Sequence, residues 1–428
     1  MAERAATCAG CGCACDDIEL TVVADALERV TGTCPLGDDW FAERTADAPP
    51  LARVDGREAE LEEAIEVAAA ILREARLPLV CGLAQTDCES QRAAVALAEA
   101  IGAVVDPSGA VGDEAAGAAS QAVGVSTATF GDVRDRADLV VAWRADPAAS
   151  NPRLLPRLRF DRDGRAAASD RKRTLVVVDA RRTATADDAD AFIELAPELD
   201  FEALWAMRAL MRGVTLDRGL TAQLPLDALA DLAESLRACR YGAVLHGSGL
   251  AAAGSGWMNA VALLALVRDL ARVTHVVALP LRHRGNARGA EDVLAWETGY
   301  PSAVSFARGH PRARPGEFSA AGVLERGEAD AALIVAFDAL RDLPATAADH
   351  LRRIPAIVVG GSGAATAAVA RVAFATAASG VHREGTAHRM DGVPVPLRAP
   401  LASPRPGDAE VLAAIAARVA GEARSEAR

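Results

Sequence analysis

The strongest constraint on how this chain folds is a repeated order of short apolar strand, small or polar loop, and apolar helix. LPLVCGL (77–83) precedes a helical pattern over 89–101 that leads into GAVVD, and ADLVVAWRADP (137–147) and RTLVVVDARRT (173–183) are further β-branched runs ending in polar loops. The order recurs in RYGAVLHGSGLAAAGSGWMNAVALLALVRDL (240–270), where a strand enters a glycine loop and then a long helix, and in ADAALIVAFDAL and IPAIVVGGSG. Such alternation predicts an α/β fold of parallel sheets with helices on both faces, with ligands at the carboxyl ends of the strands. A chain of 428 residues, 51% hydrophobic and only 4% aromatic, can bury a large aliphatic core over two or more domains. The charged stretch RFDRDGRAAASDRKR (159–173) reads as an exposed loop.

Charge and hydropathy exclude two classes of partner. The net charge is -13, and the arginines cluster on no one segment, with Lys172 the only lysine, so no nucleic-acid footprint is expected. No early run reads as a signal peptide and no apolar stretch approaches the roughly 18 to 20 residues of a bilayer span. A cytoplasmic protein without a membrane partner is the expectation.

Cysteine usage fits that compartment. Eight cysteines, five of them before residue 35, do not make a disulfide framework in a chain this long. Cys8, Cys11 and Cys15 form C-x2-C-x3-C, and Cys34 follows in TGTCPLGDD. A cubane iron–sulfur cluster takes thiolates from a loop that wraps three corners and a distant residue that closes the fourth, so the spacing points to [4Fe-4S] at Cys8, Cys11, Cys15 and Cys34. Zinc, which more often takes two C-x2-C hooks, and an empty site are the alternatives, with Cys13 the spare. Cys81, Cys88 and Cys239 lie in apolar runs and read as ordinary buried thiols. The loop HGSGLAAAGSG (246–256) suits a phosphate cradle and a tight turn with close helix packing equally well.

Longer blocks carry a resemblance. CAGCGCACDDIEL, RTLVVVDARRTATADDADAFIEL, RHRGNARGAEDVLAWETGYPSAVSFARGHPRARPGEFSA and GVHREGTAHRMDGVPVPLR, in that order, resemble the B subunit of formylmethanofuran dehydrogenase over almost the whole chain. The resemblance implies a molybdopterin-oxidoreductase-like fold with a small N-terminal iron–sulfur domain and a tungsto- or molybdo-bis-pterin guanine dinucleotide. It divides the chain into an iron–sulfur domain (1–50), a first α/β part (51–136), an inserted Rossmann-like domain (137–280) and a second α/β part (281–428).

The family's metal ligand does not carry over. Active members have a segment like V-C-H-G-P-S, followed by Q-x-V-G; here the stretch is VVDPSGAVGDEAAGAASQAVG. Anchoring on Asp106, Gln121, Val123 and Gly124 puts Gly112 where the ligating Cys stands and Asp113 where the His stands. Glycine offers no ligand, so no catalytic residue is assigned. The positions matching the dinucleotide cleft are Asp179, Arg182, Thr183 and Asn286, with Ala180 replacing a family Pro and Gly360 an acid. His283, in RHRGN, reads either as a relic of proton handling or as a loop histidine bonded to backbone. His388 stands where the family has an aromatic ring.

The resemblance extends to the B subunit of the bacterial formyltransferase/hydrolase complex. There formyl groups pass from tetrahydromethanopterin to methanofuran and are hydrolysed to formate, with hydrolysis in the A subunit, transfer in the D subunit, and a structural role for the B subunit. The implied role is such a B subunit in formaldehyde-oxidising one-carbon metabolism, with the A, C and D subunits as partners. The alternatives are an active tungsten or molybdenum oxidoreductase using another ligand, such as Asp113, and a free-standing iron–sulfur or dinucleotide-binding protein.

Overall fold

In the computed structural model, which describes all residues except 1, 47–48, 108–113, 168–171, 218, 220, 253–254, 315, 361–363 and 427–428, the β-branched runs form the centres of two parallel sheets. Contacts divide the chain into one unit of residues 1–114 and 284–428 and another of 115–283.

In the first unit, the strands Val104–Asp106, Pro78–Gly82, Ala331–Val335, Ala356–Val359 and Val372–Phe374 lie side by side in that order, all parallel. Antiparallel strands Val304–Ser305 and Ala52–Val54 extend the two edges. Successive side chains on a strand point to opposite faces. Val80, Leu333, Val335, Ile357 and Val359 therefore pack with Leu72, Leu97, Leu294 and Ile415 from helices Leu61–Glu74, Cys88–Ala100, Ala287–Thr298 and Asp408–Glu426. Leu79, Cys81, Ile334 and Val358 meet Leu324 and Leu351 of helices Ala320–Glu325 and Ala345–Leu351 on the other face. Burial on both faces is why these strands read as unbroken apolar runs.

The second unit holds five parallel strands in the order Ala191–Glu194, Thr174–Asp179, Leu139–Trp143, Tyr241–His246, His275–Pro280. Helices Asp200–Met211, Leu226–Ala238 and Trp257–Leu270 cover one face through Leu204, Leu232 and Leu263. The direction of strand progression reverses between Leu139–Trp143 and Tyr241–His246, a switch point that leaves a crevice at the carboxyl ends.

Three details differ from the reading of the sequence. The inserted unit begins well before residue 137, because Ala115 and Ala119 of helix Glu114–Val123 belong to its core and Ala278 N–H donates to Ser126 O at 2.7 Å. Residues 1–50 do not stand apart as a domain. They form a three-stranded antiparallel sheet, Ala2–Cys8, Cys15–Val23 and Ala26–Thr31, and a helix Pro35–Thr45, tied into the first unit by Thr7 Oγ1 donating to Pro396 O (2.7 Å) and Met390 N–H to Gly12 O (2.9 Å). The stretch 159–173 is not wholly exposed, since Phe160 is buried beneath the Arg173 guanidinium and helix Arg162–Ala167 follows it. No helix among the described residues is long and apolar enough to cross a membrane.

Candidate functional site

The N-terminal hairpin sets the geometry of the cysteine loop. Cys8 ends the first strand and faces Cys15 at the start of the second, after a register shift past Ala6. Ala14 takes a left-handed φ of 38° and its N–H donates to Cys11 O at 3.1 Å, which turns the loop back on itself. Cys34 caps helix Pro35–Thr45, its carbonyl accepting from the amides of Gly37 (2.8 Å) and Asp38 (2.9 Å). Two glycines let this helix lie against the loop. A Cβ on Gly10 would come within 3.0 Å of Leu36 O and 3.1 Å of Trp40 Cβ, and one on Gly37 would reach Cys8 Sγ at 3.0 Å and collide with Thr33 Oγ1. A third glycine closes the loop from a distant part of the chain. Gly285, in RHRGN, packs so tightly on Ala9 that a Cβ there would lie 2.7 Å from its Cα and 2.5 Å from its carbonyl carbon.

Burial opposes ionisation at the first of the four expected ligands. Burial pushes the Cys8 thiol up to about 12, with negative charge on Cys15, Cys11 and Cys34 adding to the effect and the Gly10 N–H opposing it. Thiols gathered where ionisation is opposed are the setting that a cationic centre stabilises. Among the described residues, no three His, Cys, Asp or Glu side chains are gathered tightly enough to hold a metal ion. Three thiols on one short loop and a fourth at a helix start are the donor set of an iron–sulfur cluster, which seats each thiolate on its own iron. Cys13 is fully buried; nearby, burial works against the Arg389 guanidinium, but Asp391, then Asp16 and Cys13, hold its pKa above the ordinary value.

The positions assigned to a dinucleotide cleft are engaged by the protein itself. Asp179 ends strand Thr174–Asp179, and its Oδ1 accepts from Ala180 N–H at 2.7 Å and faces Arg144 Nη1 at 3.5 Å. Arg182 Nη2 donates to Ala186 O (3.0 Å), and Thr183 caps the short helix Ala184–Asp187 by accepting from Ala186 N–H. Asn286 belongs to the first unit and is buried. Its Nδ2 donates to Thr86 O (2.7 Å), its Oδ1 accepts from His388 N–H (2.8 Å), and its carbonyl accepts from Gln91 Nε2 (3.2 Å). Gly360 has φ of 105°, and a Cβ there would meet Ala336 backbone at 3.1 Å, so no carboxylate is readily placed on that backbone. Gly112 and Asp113 lie outside the described residues.

The histidines have quiet partners. His283 Nε2 lies 3.4 Å from Ser248 Oγ, and His388 Nδ1 is 2.7 Å from Asp292 Oδ2 with its ring edge-on to Trp296. In the loop 246–256, Gly247 is explained by packing, because a Cβ would lie 2.6 Å from Arg144 O. Cys81 and Cys88 are buried and Cys239 half-buried; burial raises all three thiols, Cys88 to about 12 and Cys239 to about 11.

Sequence reading missed the ion-pair network beneath this crevice. Arg144, with a left-handed φ of 49°, donates through Nε to Asp200 Oδ2 (2.8 Å) and through Nη2 to Leu195 O (2.8 Å), while Trp143 Nε1 donates to Asp200 Oδ1 (2.8 Å). Burial raises the Asp200 carboxyl above its usual range, against the hydrogen bond and charge of Arg144. The only local signal was the polar turn W-R-A-D-P after a β-branched run.

No family model matches the chain. The B subunit of tungsten-containing formylmethanofuran dehydrogenase 2 from Methanocaldococcus jannaschii is 34% identical over 403 residues, covering 92% of this chain and 93% of that protein. The B subunit of the formyltransferase/hydrolase complex Fhc from Methylorubrum extorquens is 28% identical over 326 residues, 74% of this chain and 81% of its own length. The crystal structure of the FhcABCD complex from that organism, with methylofuran, superposes with a TM-score of 0.70 at 28% identity, covering 87% of this chain and 99% of the matched one. Acetylene hydratase from Pelobacter acetylenicus reaches the same TM-score at 12% identity over 98% of this chain and 70% of its own, a likeness of fold alone.

Proposed function

The chain belongs to the family of formylmethanofuran dehydrogenase B subunits, and from that premise we propose that it is a non-catalytic member of a formyltransferase/hydrolase-type complex working on methanofuran-bound formyl groups in one-carbon metabolism. The observation that carries this reading is Gly112 at the position of the family's metal-ligating cysteine. A tungsten or molybdenum pterin does not fit the residues present. Gly112 has no donor atom, Gly360 stands for an acid on a left-handed backbone tight against Ala336, and Asn286 already binds Thr86 and His388. The match to the FhcABCD structure over 87% of this chain supports partners of the A, C and D type. The concentration of free thiols suits the cytoplasm.

Cys8, Cys11, Cys15 and Cys34 would hold the [4Fe-4S] cluster, which when bound supplies a cross-link and a one-electron centre. The chain's own part is to present four thiols between glycines that leave the loop no slack. A second reading, an active tungsten oxidoreductase with Asp113 as ligand, is favoured by one observation: identity to the tungsten-containing relative, 34%, exceeds the 28% to the Fhc relative.

Purification of the tagged native protein with its partners, followed by iron, tungsten and molybdenum analysis, tests the two together. Co-purifying formyltransferase and hydrolase subunits with iron but no stoichiometric tungsten or molybdenum is the expected result. Stoichiometric tungsten with viologen-linked formate oxidation would establish the second reading, and a partner-free monomer would remove both.

A further inference from the structure

A cavity of about 270 Å³ opens in the first unit where Ala336, Gly360 and Ala375 each follow the end of a parallel strand. Its charged lining holds two guanidinia, Arg44 and Arg405, and two carboxylates, Glu43 and Asp408, while burial, with Arg405, lowers the pKa of His382. Arg44 is the unusual member. Its side chain is only 8% exposed, stacked at 4.4 Å over the Trp40 ring, and it donates to two neutral groups, Gln85 Oε1 (2.8 Å) and Trp40 O (3.3 Å). Among the described residues, the one carboxylate within ion-pair distance, Glu43 at 3.8 Å, is 64% exposed. Asp408 also lines the cavity, but its two oxygens accept hydroxyls from Thr86 and Thr376, and burial pushes its carboxyl above the usual range. Asp408 is therefore a weak counter-charge. Burial likewise lowers the Arg44 guanidinium to about 10, against the charges of Glu43, Cys8 and Asp408. A buried guanidinium whose hydrogen bonds go to the neutral acceptors Gln85 Oε1 and Trp40 O gains from a bound anion.

We propose that this cavity binds a small oxyanion or carboxylate, with Arg44 as its principal cation. The guanine base that the family resemblance would seat near residue 360 needs an acidic acceptor for its amino group. Gly360, with Ala336 backbone 3.1 Å from where its Cβ would be, does not provide one. What remains is a polar cavity with two guanidinia on its wall, Arg44 and Arg405, that a compact negative charge can reach.

Calorimetric titration of the full chain, alone or in its complex, with inorganic phosphate and separately with acetate at constant ionic strength tests the assignment, and the two arms separate oxyanion from carboxylate preference. Saturable binding is expected for at least one probe. Arg44→Met should weaken it about tenfold or more, as loss of a charged hydrogen-bond donor does. Glu43→Gln, at an exposed rim position that leaves the helix intact, should tighten it by removing a competing charge, which keeps the inference falsifiable if Arg44→Met unfolds. Absence of saturable binding by both probes, an affinity unmoved by both substitutions, or guanosine monophosphate binding more tightly than phosphate with no dependence on Arg44 would each overturn it.

Discussion

Gly285→Ala is the sharpest probe of the cysteine loop, because one methyl group tests a contact between the two chain segments of the first unit. Built on the present backbone, the new Cβ lies 2.5 Å from the Ala9 carbonyl carbon and 2.7 Å from its Cα, and closer still to the carbonyl oxygen. All three are backbone atoms, so no side-chain rotation relieves the overlap. The RHRGN turn or the Cys8–Cys15 loop must move by about an ångström. Overpacking costs typically about 1–3 kcal/mol where side chains can adjust, and a backbone collision belongs at the upper end. At roughly 2–4 °C of melting temperature per kcal/mol for a unit of this size, a loss of about 6–12 °C is expected. Gly56→Ala is the control: Gly56 has a φ of 76° with nothing within 4 Å of a built Cβ, so it carries only the left-handed backbone cost of roughly 1–2 kcal/mol. Differential scanning fluorimetry of both variants, with the reactivity of Cys8, Cys11 and Cys15 toward a thiol reagent, reads the outcome. These cysteines are buried in the wild type, and Gly285→Ala should expose them while Gly56→Ala should not. Equal melting shifts with unchanged thiol reactivity would refute the packing argument.

Three further outcomes follow from the same geometry. Replacing Cys8, Cys11, Cys15 and Cys34 by serine should abolish iron incorporation and lower the melting temperature of cluster-reconstituted protein toward that of the iron-free form; equal melting of mutant and reconstituted wild type would remove the staple role. Asp200→Ala strips the buried partner from Arg144 and Trp143 and should cost about 3–5 kcal/mol, read as a fall in the urea midpoint of the second unit, whereas Asp200→Asn should cost less because it keeps an acceptor. His246 is fully buried, and burial, with Arg282, lowers its pKa to about 3. The unfolded chain then binds a proton below about 6.5 that the folded chain refuses, so stability is intact above that pH and falls on acidification, by about 1.4 kcal/mol per unit, until near pH 3. His246→Leu should flatten that limb of the melting-temperature profile, and an unchanged acid limb would show that His246 does not titrate this way.

The legible part of this protein was local in origin. Strands such as Pro78–Gly82 and Thr174–Asp179 announced themselves because a parallel strand buried on both faces must be apolar at every position, and a glycine or polar turn must follow it. The cysteine spacing and the glycine at 112 are likewise facts of covalent order, and the family resemblance rests on such ordered blocks. The insertion boundary was misplaced because helix Glu114–Val123 carries no local mark of which sheet it packs against; only the burial of Ala115 and Ala119 decides that.

Composition and local order determined by themselves that the chain would be an α/β protein with a thiol-rich loop near its start. Tertiary structure alone decided that Gly285 must be glycine because Ala9 lies against it, that Asn286 is a hydrogen-bonding hub, that Arg144 is neutralised by Asp200, and that Arg44 and Asp408 meet at one cavity. These are pairs of residues far apart in the chain. Their meeting depends on sheet order and crossover paths, which no periodicity of a single segment encodes, and on burial, which sets the strength of each charge only after the fold has closed around it.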